Sequence, residues 1–396
     1  MLTQRQLFLQ HVAQTSTSPL SLEIEKAEGI YLYDTAGKKY IDLISGIGVS
    51  NVGHRHPKVI AAIQEQLDKY MHLMVYGEYI QTPQIQLAKL LADNLPANLN
   101  CTYFVNSGTE AIEGAMKLAK RYTGKTGVIA FKNAYHGSTQ GSLSVCGNEE
   151  LKNSFRPLLP NVNVIEFNSV DELKKITKQT ACVIIEPIQG EAGVILPDKH
   201  FLQKLRTKCN ETKTLLIFDE IQTGYGRTGK LFAFEHYDIA PDILCIAKGM
   251  GGGMPIGAFI SSKEIMSSLT ANPALGHITT FGGHPVSCAA SLATLKILLE
   301  ENLIGQVDEK EKLFREILKH LSIKEIRGRG LLLAVEFESY EFNKKVIDTC
   351  LENGVITDWF LFCNNAMRIA PPLTITTDEI KKACEVILKS IKKNSK

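Results

Sequence analysis

Leu215-Leu216-Ile217-Phe218-Asp219 is an apolar run closed by a single carboxylate, and Ile243-Leu244-Cys245-Ile246-Ala247-Lys248 repeats the shape with an amine at its end. Runs this short and this apolar read as strands buried on both faces. Val128-Ile129-Ala130-Phe131, Val162-Asn163-Val164-Ile165-Glu166 and Cys182-Val183-Ile184-Ile185-Glu186 are of the same kind, and helical patterns separate them from about residue 58 to about 320. The alternation predicts an α/β fold: a mostly parallel sheet with helices on each side. Upstream, Ile30-Tyr31-Leu32-Tyr33 and Lys39-Tyr40-Ile41-Asp42-Leu43 flank the turn Asp34-Thr35-Ala36-Gly37, which predicts a short hairpin. Downstream, a strand over Leu331–Glu336 precedes a helix from about Asp378 to Lys392, where Ile380, Ala383, Cys384, Ile387 and Ile391 share one stripe. The expected organisation is therefore an N-terminal segment (1–57) that joins a small domain, a large domain (58–320) and a small α+β C-terminal domain (321–396). Internal repeats and linker-like tracts are absent from the sequence.

Composition narrows the function classes. Of the 396 residues, 44% are hydrophobic and 22% charged, ordinary globular usage. The 44 basic and 42 acidic side chains nearly cancel, and the basic tail Lys389, Lys392, Lys393, Lys396 reads as a solvated helix end. Nucleic acid and membrane are not expected partners. Met1 to Gln10 lacks a basic start followed by an apolar stretch, and no run of eighteen apolar residues occurs. Nine cysteines without a CxxC pair fit reduced thiols better than a disulfide framework, so a cytoplasmic location is expected, and no metal.

Several residues suggest chemistry. Lys248 precedes Gly249-Met250-Gly251-Gly252-Gly253, and an amine at a strand end beside glycines is what a Schiff-base lysine requires. Ser107-Gly108-Thr109-Glu110 opens a helix whose apolar stripe is Ile112, Ala115, Met116, Ala119 and Tyr122; Ser107 and Glu110 fit a capping box. Gly108 would also let an anion approach the free amides, with Ser107 and Thr109 hydroxyls beside it. Asp219 belongs at the carboxyl edge of the sheet, either capping the next helix or holding a proton on a pyridine nitrogen. Gln222 could reach a ring oxygen, and Ile221 and Tyr135 could cover the two ring faces. His136 reads as structural, and Glu191 and Arg368 as surface charges. Two nucleotide-like patterns fail: Gly224 to Lys230 has P-loop spacing, but Leu231 replaces the magnesium-ligating hydroxyl, and the glycines after Lys248 lack the third of the dinucleotide fingerprint.

Taken in order, Asn106-Ser107-Gly108-Thr109-Glu110-Ala111, Tyr135-His136-Gly137, Glu186-Pro187-Ile188-Gln189-Gly190-Glu191, Asp219-Glu220-Ile221-Gln222-Thr223-Gly224, Ala247-Lys248-Gly249 and Thr280-Phe281-Gly282-Gly283 resemble the class-III pyridoxal phosphate aminotransferases, nearest the acetylornithine and ornithine branch. The resemblance implies an aspartate-aminotransferase-like fold (fold type I) with a seven-stranded sheet, pyridoxal 5'-phosphate as cofactor, and a ping-pong exchange with 2-oxoglutarate. It implies that Lys248 bonds the cofactor aldehyde and then acts as base, Asp219 pairs the ring nitrogen, Gln222 meets the ring oxygen, Tyr135 stacks, and Gly108 and Thr109 hold the phosphate. The threonine matching Thr280 reaches the phosphate from the partner subunit, so a homodimer is implied. Glu191 and Arg368 match a gating pair that lets one pocket take an ω-amino donor and then a dicarboxylate. One residue departs. Ser138 stands where the ornithine-type enzymes carry an arginine for the donor's α-carboxylate, which leaves Arg55, or a different donor such as 4-aminobutyrate or lysine. An aminomutase and a non-catalytic cofactor-binding protein are the remaining alternatives. His284 stands where an asparagine is usual.

Overall fold

The computed structural model describes residues 2–395; Met1 and Lys396, which bound the N-terminal stretch and the basic tail, lie outside them. At the centre is a seven-stranded sheet in the order Cys101–Val105, Gly257–Ser261, Ile243–Ile246, Leu215–Asp219, Thr180–Ile185, Gly127–Phe131, Val162–Ile165. Strand Gly257–Ser261 runs antiparallel to both neighbours, and the pairings from Ile243–Ile246 across to Val162–Ile165 are all parallel. The five runs expected to be strands are strands, within two residues at each end. Their side chains are sealed: Val183, Ile184, Ile217, Phe218 and Leu244 have no accessible surface. Each such side chain contributes about 1.5–3 kcal/mol relative to exposure, which makes this sheet the fixed frame of the molecule.

Strand Gly257–Ser261 was not legible from its sequence, because Gly257 and Ser261 break its apolar pattern. Gly257 is nonetheless required: a Cβ there would lie 2.5 Å from the main-chain oxygen of Ser107. The helix Gly108–Thr123 starts directly against this strand, with Ile112, Ala115, Met116 and Ala119 buried on the sheet. Tyr122, counted in that stripe, is instead 40% exposed and donates its hydroxyl to Glu264.

Two four-stranded sheets flank the central one. The first joins Ile24–Glu28, Tyr31–Asp34 and Lys39–Asp42 to Val355–Ile356, so a strand from late in the chain completes a sheet begun near its start. The second, Glu325–Arg329, Leu332–Glu336, Cys363–Ile369 and Trp359–Phe360, sets Arg368 opposite Ala334. The helix Thr377–Asn394 buries Ile380, Ala383, Cys384, Ile387 and Ile391, the stripe read from the sequence. Among the described residues no helix is long and apolar enough to cross a membrane.

Arg227 fastens these parts together. It is fully buried, and its guanidinium donates to the main-chain oxygens of Leu331 and Pro371 and to Asn51 Oδ1. Burial lowers its pKa to about 9, against the opposing charge of Asp42. Replacing Arg227 with Met should leave three buried acceptors unpaired, at about 1–3 kcal/mol each, and destabilise the protein by at least about 3 kcal/mol in urea unfolding. A loss below about 1 kcal/mol would show that the clasp is ornamental.

Candidate active site

The parallel strands end at one edge, and there the predicted residues meet. Asp219, the last residue of its strand, pairs in register with Cys245, three positions before Lys248. Carboxylate and amine thus leave neighbouring strands on the same side of the sheet, where open α/β sheets bind ligands. Both line a cavity of about 440 Å³ together with Ser107, Gly108, Thr109, Tyr135, Ser138, Glu191, Ile221 and Gln222. That volume lies within the range of small-molecule sites.

One wall is an anion cradle. Ser107 caps the helix Gly108–Thr123, accepting from the Glu110 amide at 3.3 Å, while the first-turn amides have no acceptor within the helix. The capping box is only half made. Glu110 reaches back past Ser107 to accept from the Asn106 amide at 2.7 Å and from Asn106 Nδ2 at 2.9 Å. Gly108 leaves room for Ile221, whose Cδ1 would sit 2.9 Å from any added Cβ. Thr109 Oγ1 lies 2.8 Å from Thr139 Oγ1 and 2.5 Å from Ser142 Oγ. Behind them Glu113 accepts from Thr139 Oγ1, Gly141 N and Ser142 N at 2.6, 2.9 and 3.2 Å. The loop carrying Ser138 is therefore tied to the start of the helix. Glu113 and Thr139 were not singled out from the sequence; their only signal there is a position one helical turn or two residues from the quoted motifs.

The opposite end is acidic. Asp219 is 4% exposed; its Oδ1 accepts from the Ile221 amide at 3.0 Å and its Oδ2 lies 2.7 Å from Nδ1 of His136. Burial opposes a charge on His136, but the hydrogen bond and the negative charge of Asp219 outweigh it and raise its pKa. His136, read as structural, is thus a direct support of Asp219. Burial also lifts the Glu186 carboxyl to about 7; that group accepts from the amides of Gly190 and Tyr135 at 3.0 and 3.2 Å. Tyr135 is half-buried on the cavity wall, as expected of a stacking residue.

Lys248 has φ +47°, a left-handed conformation that costs a non-glycine residue about 1–3 kcal/mol and is common where a side chain must be aimed. Burial holds its ammonium below the usual lysine range, while Glu191 pulls the other way. Gln222 donates through Nε2 to Glu191 Oε1 at 3.4 Å, so cavity and ion pair are connected. Glu191 and Arg368, read singly as surface charges, form a bidentate buried pair with two contacts of 3.0 Å. Burial works against the Glu191 charge, but Arg368 wins and keeps its pKa below the ordinary value. Arg368 lies behind Glu191 and does not line the cavity.

Two expected residues, and His284, which was noted as a departure, lie elsewhere. Thr280 is exposed and outside the cavity of its own chain, in a segment where Leu275, Ile278 and Phe281 are also exposed. Arg55 is exposed and does not line the cavity either. His284 stacks on His72, ring centroids 5.4 Å apart, on the same side of the chain as Phe281. An anion cradle, a buried acid for a ring nitrogen and an amine with lowered pKa, spaced around one cavity, fit a phosphorylated pyridine aldehyde.

Comparison with known proteins agrees with this geometry. Residues 12–391 match the aminotransferase class-III family. The chain is 41% identical over 376 residues to an acetylornithine aminotransferase of Methanopyrus kandleri, covering 94% of each protein. An ornithine aminotransferase of Toxoplasma gondii, described with partial occupancy of PLP at its active site, superposes with a TM-score of 0.91 at 31% identity, over 98% of this chain and 94% of that one. An adenosylmethionine-8-amino-7-oxononanoate aminotransferase of Methanocaldococcus jannaschii superposes with a TM-score of 0.90 at 31% identity, over 98% of both chains. The chain belongs to the class-III aminotransferases and is a pyridoxal phosphate-dependent transaminase.

Proposed function

We propose that the enzyme moves the ω-amino group of an acetylornithine- or ornithine-type donor to 2-oxoglutarate in two half-reactions through one cavity. The observation that carries this reading is the buried Glu191–Arg368 pair beside Lys248. Closed, the pair presents a neutralised wall to an amino donor; opened, it presents a guanidinium fork to a dicarboxylate. Bound pyridoxal phosphate supplies an electron-withdrawing ring and an aldehyde that carries the amino group between substrates. Ser107, Gly108 and Thr109 would bind the phosphate, Asp219 backed by His136 would hold the proton on the ring nitrogen, Gln222 would meet the ring oxygen, and Ile221 and Tyr135 would enclose the ring. Neutral Lys248 Nζ would take the proton from the donor carbon and deliver it to the carbon that carried the aldehyde.

The active unit in this proposal is a homodimer. Thr280 is exposed among apolar side chains and has no place in its own cavity, which suits a residue that completes the site of a second copy. Met71, Tyr79 and Ile80 are also exposed, with Ile80 at 92%. Nine free cysteines suit a reducing cytoplasm. A second reading, with 4-aminobutyrate as donor, draws support from Ser138: Lys248 is the sole basic side chain among the cavity-lining residues other than histidine, so no arginine there can clamp an α-carboxylate, a group that 4-aminobutyrate lacks and that lysine, the other alternative donor, carries.

Three measurements test these assignments. Lys248→Ala should lower turnover by about 10²–10⁴-fold and abolish the covalent retention of cofactor; retention of both would remove Lys248 from the chemistry. Because burial lowers the Lys248 ammonium, the neutral base should be present below the ordinary lysine pKa of roughly 10.4, and the donor half-reaction should rise with pH to a plateau below that value. Glu191→Gln, which deletes a charge that favours the ammonium, should move that limb to lower pH. A single-turnover panel of acetylornithine, succinylornithine, ornithine, lysine and 4-aminobutyrate identifies the donor. In the same panel Ser138→Arg should improve kcat/KM about tenfold for donors with a free α-carboxylate, the worth of roughly 1.4 kcal/mol. Amine exchange that never requires a 2-oxo acid would point to an aminomutase instead.

A further inference from the structure

The turn that follows Thr357 holds both members of the ion pair. Asp358 Oδ1 accepts from Arg368 Nε at 2.8 Å, and its main-chain oxygen accepts from the Arg368 amide at 2.8 Å. The ring of Phe360 lies 4.4 Å from the guanidinium carbon. Three residues after Asp358, the Leu361 amide donates to Glu191 Oε2 at 3.1 Å, and the Phe362 amide donates to the Glu191 main-chain oxygen at 3.0 Å. The Glu191 carboxylate therefore accepts from four donors, Nη1 and Nη2 of Arg368, the amide of Leu361 and, at 3.4 Å, Nε2 of Gln222 on the cavity side.

The attachments of Asp358 and Glu191 to Arg368 are on different nitrogens. When Glu191 swings out, the Nε contact and the 3.4 Å contact of Nη2 to the Trp359 main-chain oxygen are untouched, whereas Nη1, Nη2 and the Leu361 amide each lose the carboxylate they donate to. The guanidinium is buried, and buried donors left empty are costly, so the opened receptor favours any carboxylate that can enter it. The charges respond in the same direction. Burial raises the pKa of Asp358, Arg368 opposes this, and the negative charges of Glu191 and Asp42 add to it. Departure of Glu191 removes one of those repulsions, so Asp358 becomes a stronger partner when it is the only one.

Building on the two-substrate reading above, we infer that Arg368, the Leu361 amide and Asp358 together form the receptor for the acceptor's carboxylate. In it Asp358 is a positioning residue that keeps the guanidinium fork aimed while Glu191 is away. Without Asp358 the fork keeps only the long contact of Nη2 to the Trp359 main-chain oxygen and its packing on Phe360, and a bidentate match to a carboxylate depends on angle as well as charge.

The two half-reactions can be separated by following cofactor absorbance in single turnovers of the holoenzyme, with glutamate on one side and the most active ω-amino donor of the panel on the other. Asp358→Ala should weaken the apparent affinity for glutamate at least tenfold more than that for the ω-amino donor. Asp358→Asn keeps an oxygen facing Nε and should recover most of the difference. Asp358→Glu keeps the charge but displaces the acceptor by one methylene, and should show the selective loss even if the alanine variant does not fold. Equal losses in both halves, or an asparagine variant no better than alanine, would overturn the assignment of Asp358. A wild-type enzyme that does not react with glutamate at all would instead overturn the two-substrate reading, and this inference with it.

Discussion

A carboxylate at the end of a buried strand is the constraint around which the rest is arranged. Asp219 ends a five-residue strand that has almost no contact with water, so its position is set by the sheet and not by a loop. Isolated there it would be expensive, and it is paired twice, to the Ile221 amide and to the His136 imidazole. His136 brings the Tyr135 to Gly137 segment with it, and that segment leads into the loop that Glu113 ties to the helix start. The anion cradle, the aromatic wall and the acid are thus one connected body. Sites built this way need little rearrangement when a ligand arrives, which reduces the cost of binding.

A second body meets it. Glu191 lies on the loop after strand Thr180–Ile185 of the central sheet and Arg368 on strand Cys363–Ile369 of a flanking one, and the pair joins the two. Under the proposed function, a fixed cofactor half and a switchable substrate half would divide the labour of an enzyme that takes two unlike partners in turn. The strained backbone of Lys248 stands between the two halves, close enough to Glu191 to feel its charge.

Much of this could be read from the chain because the signals were local. Continuous apolar runs identified the parallel strands, and the stripe from Ile380 to Ile391 identified the last helix. The predicted cavity-lining residues lie within a few positions of strand ends, so motif and place coincide. What escaped reading was long-range. Strand Gly257–Ser261 owes its identity to the neighbours that bury it, since its own composition is mixed. His136 was taken as structural because nothing in Tyr135-His136-Gly137 reveals a carboxylate 83 residues on. Glu110 was assigned to Ser107 by spacing, but Asn106 offers two donors and took it. Glu191 and Arg368 were linked through family resemblance, for no local pattern joins residues 177 positions apart.

Arg227 and the strand Val355–Ile356 have a bearing on how the protein is made. A chain emerging from the ribosome can assemble its central sheet once Ser261 is out, since all seven strands lie before that point. The hairpin at the start must wait much longer for its parallel neighbour at Val355–Ile356. Arg227 waits for the oxygens of Leu331 and Pro371. During that interval a guanidinium destined for the interior has no interior to enter. The sheet that carries Asp219 can therefore form before the strand that carries Arg368 is made, and under the proposed function the nascent enzyme acquires its choice of substrates last.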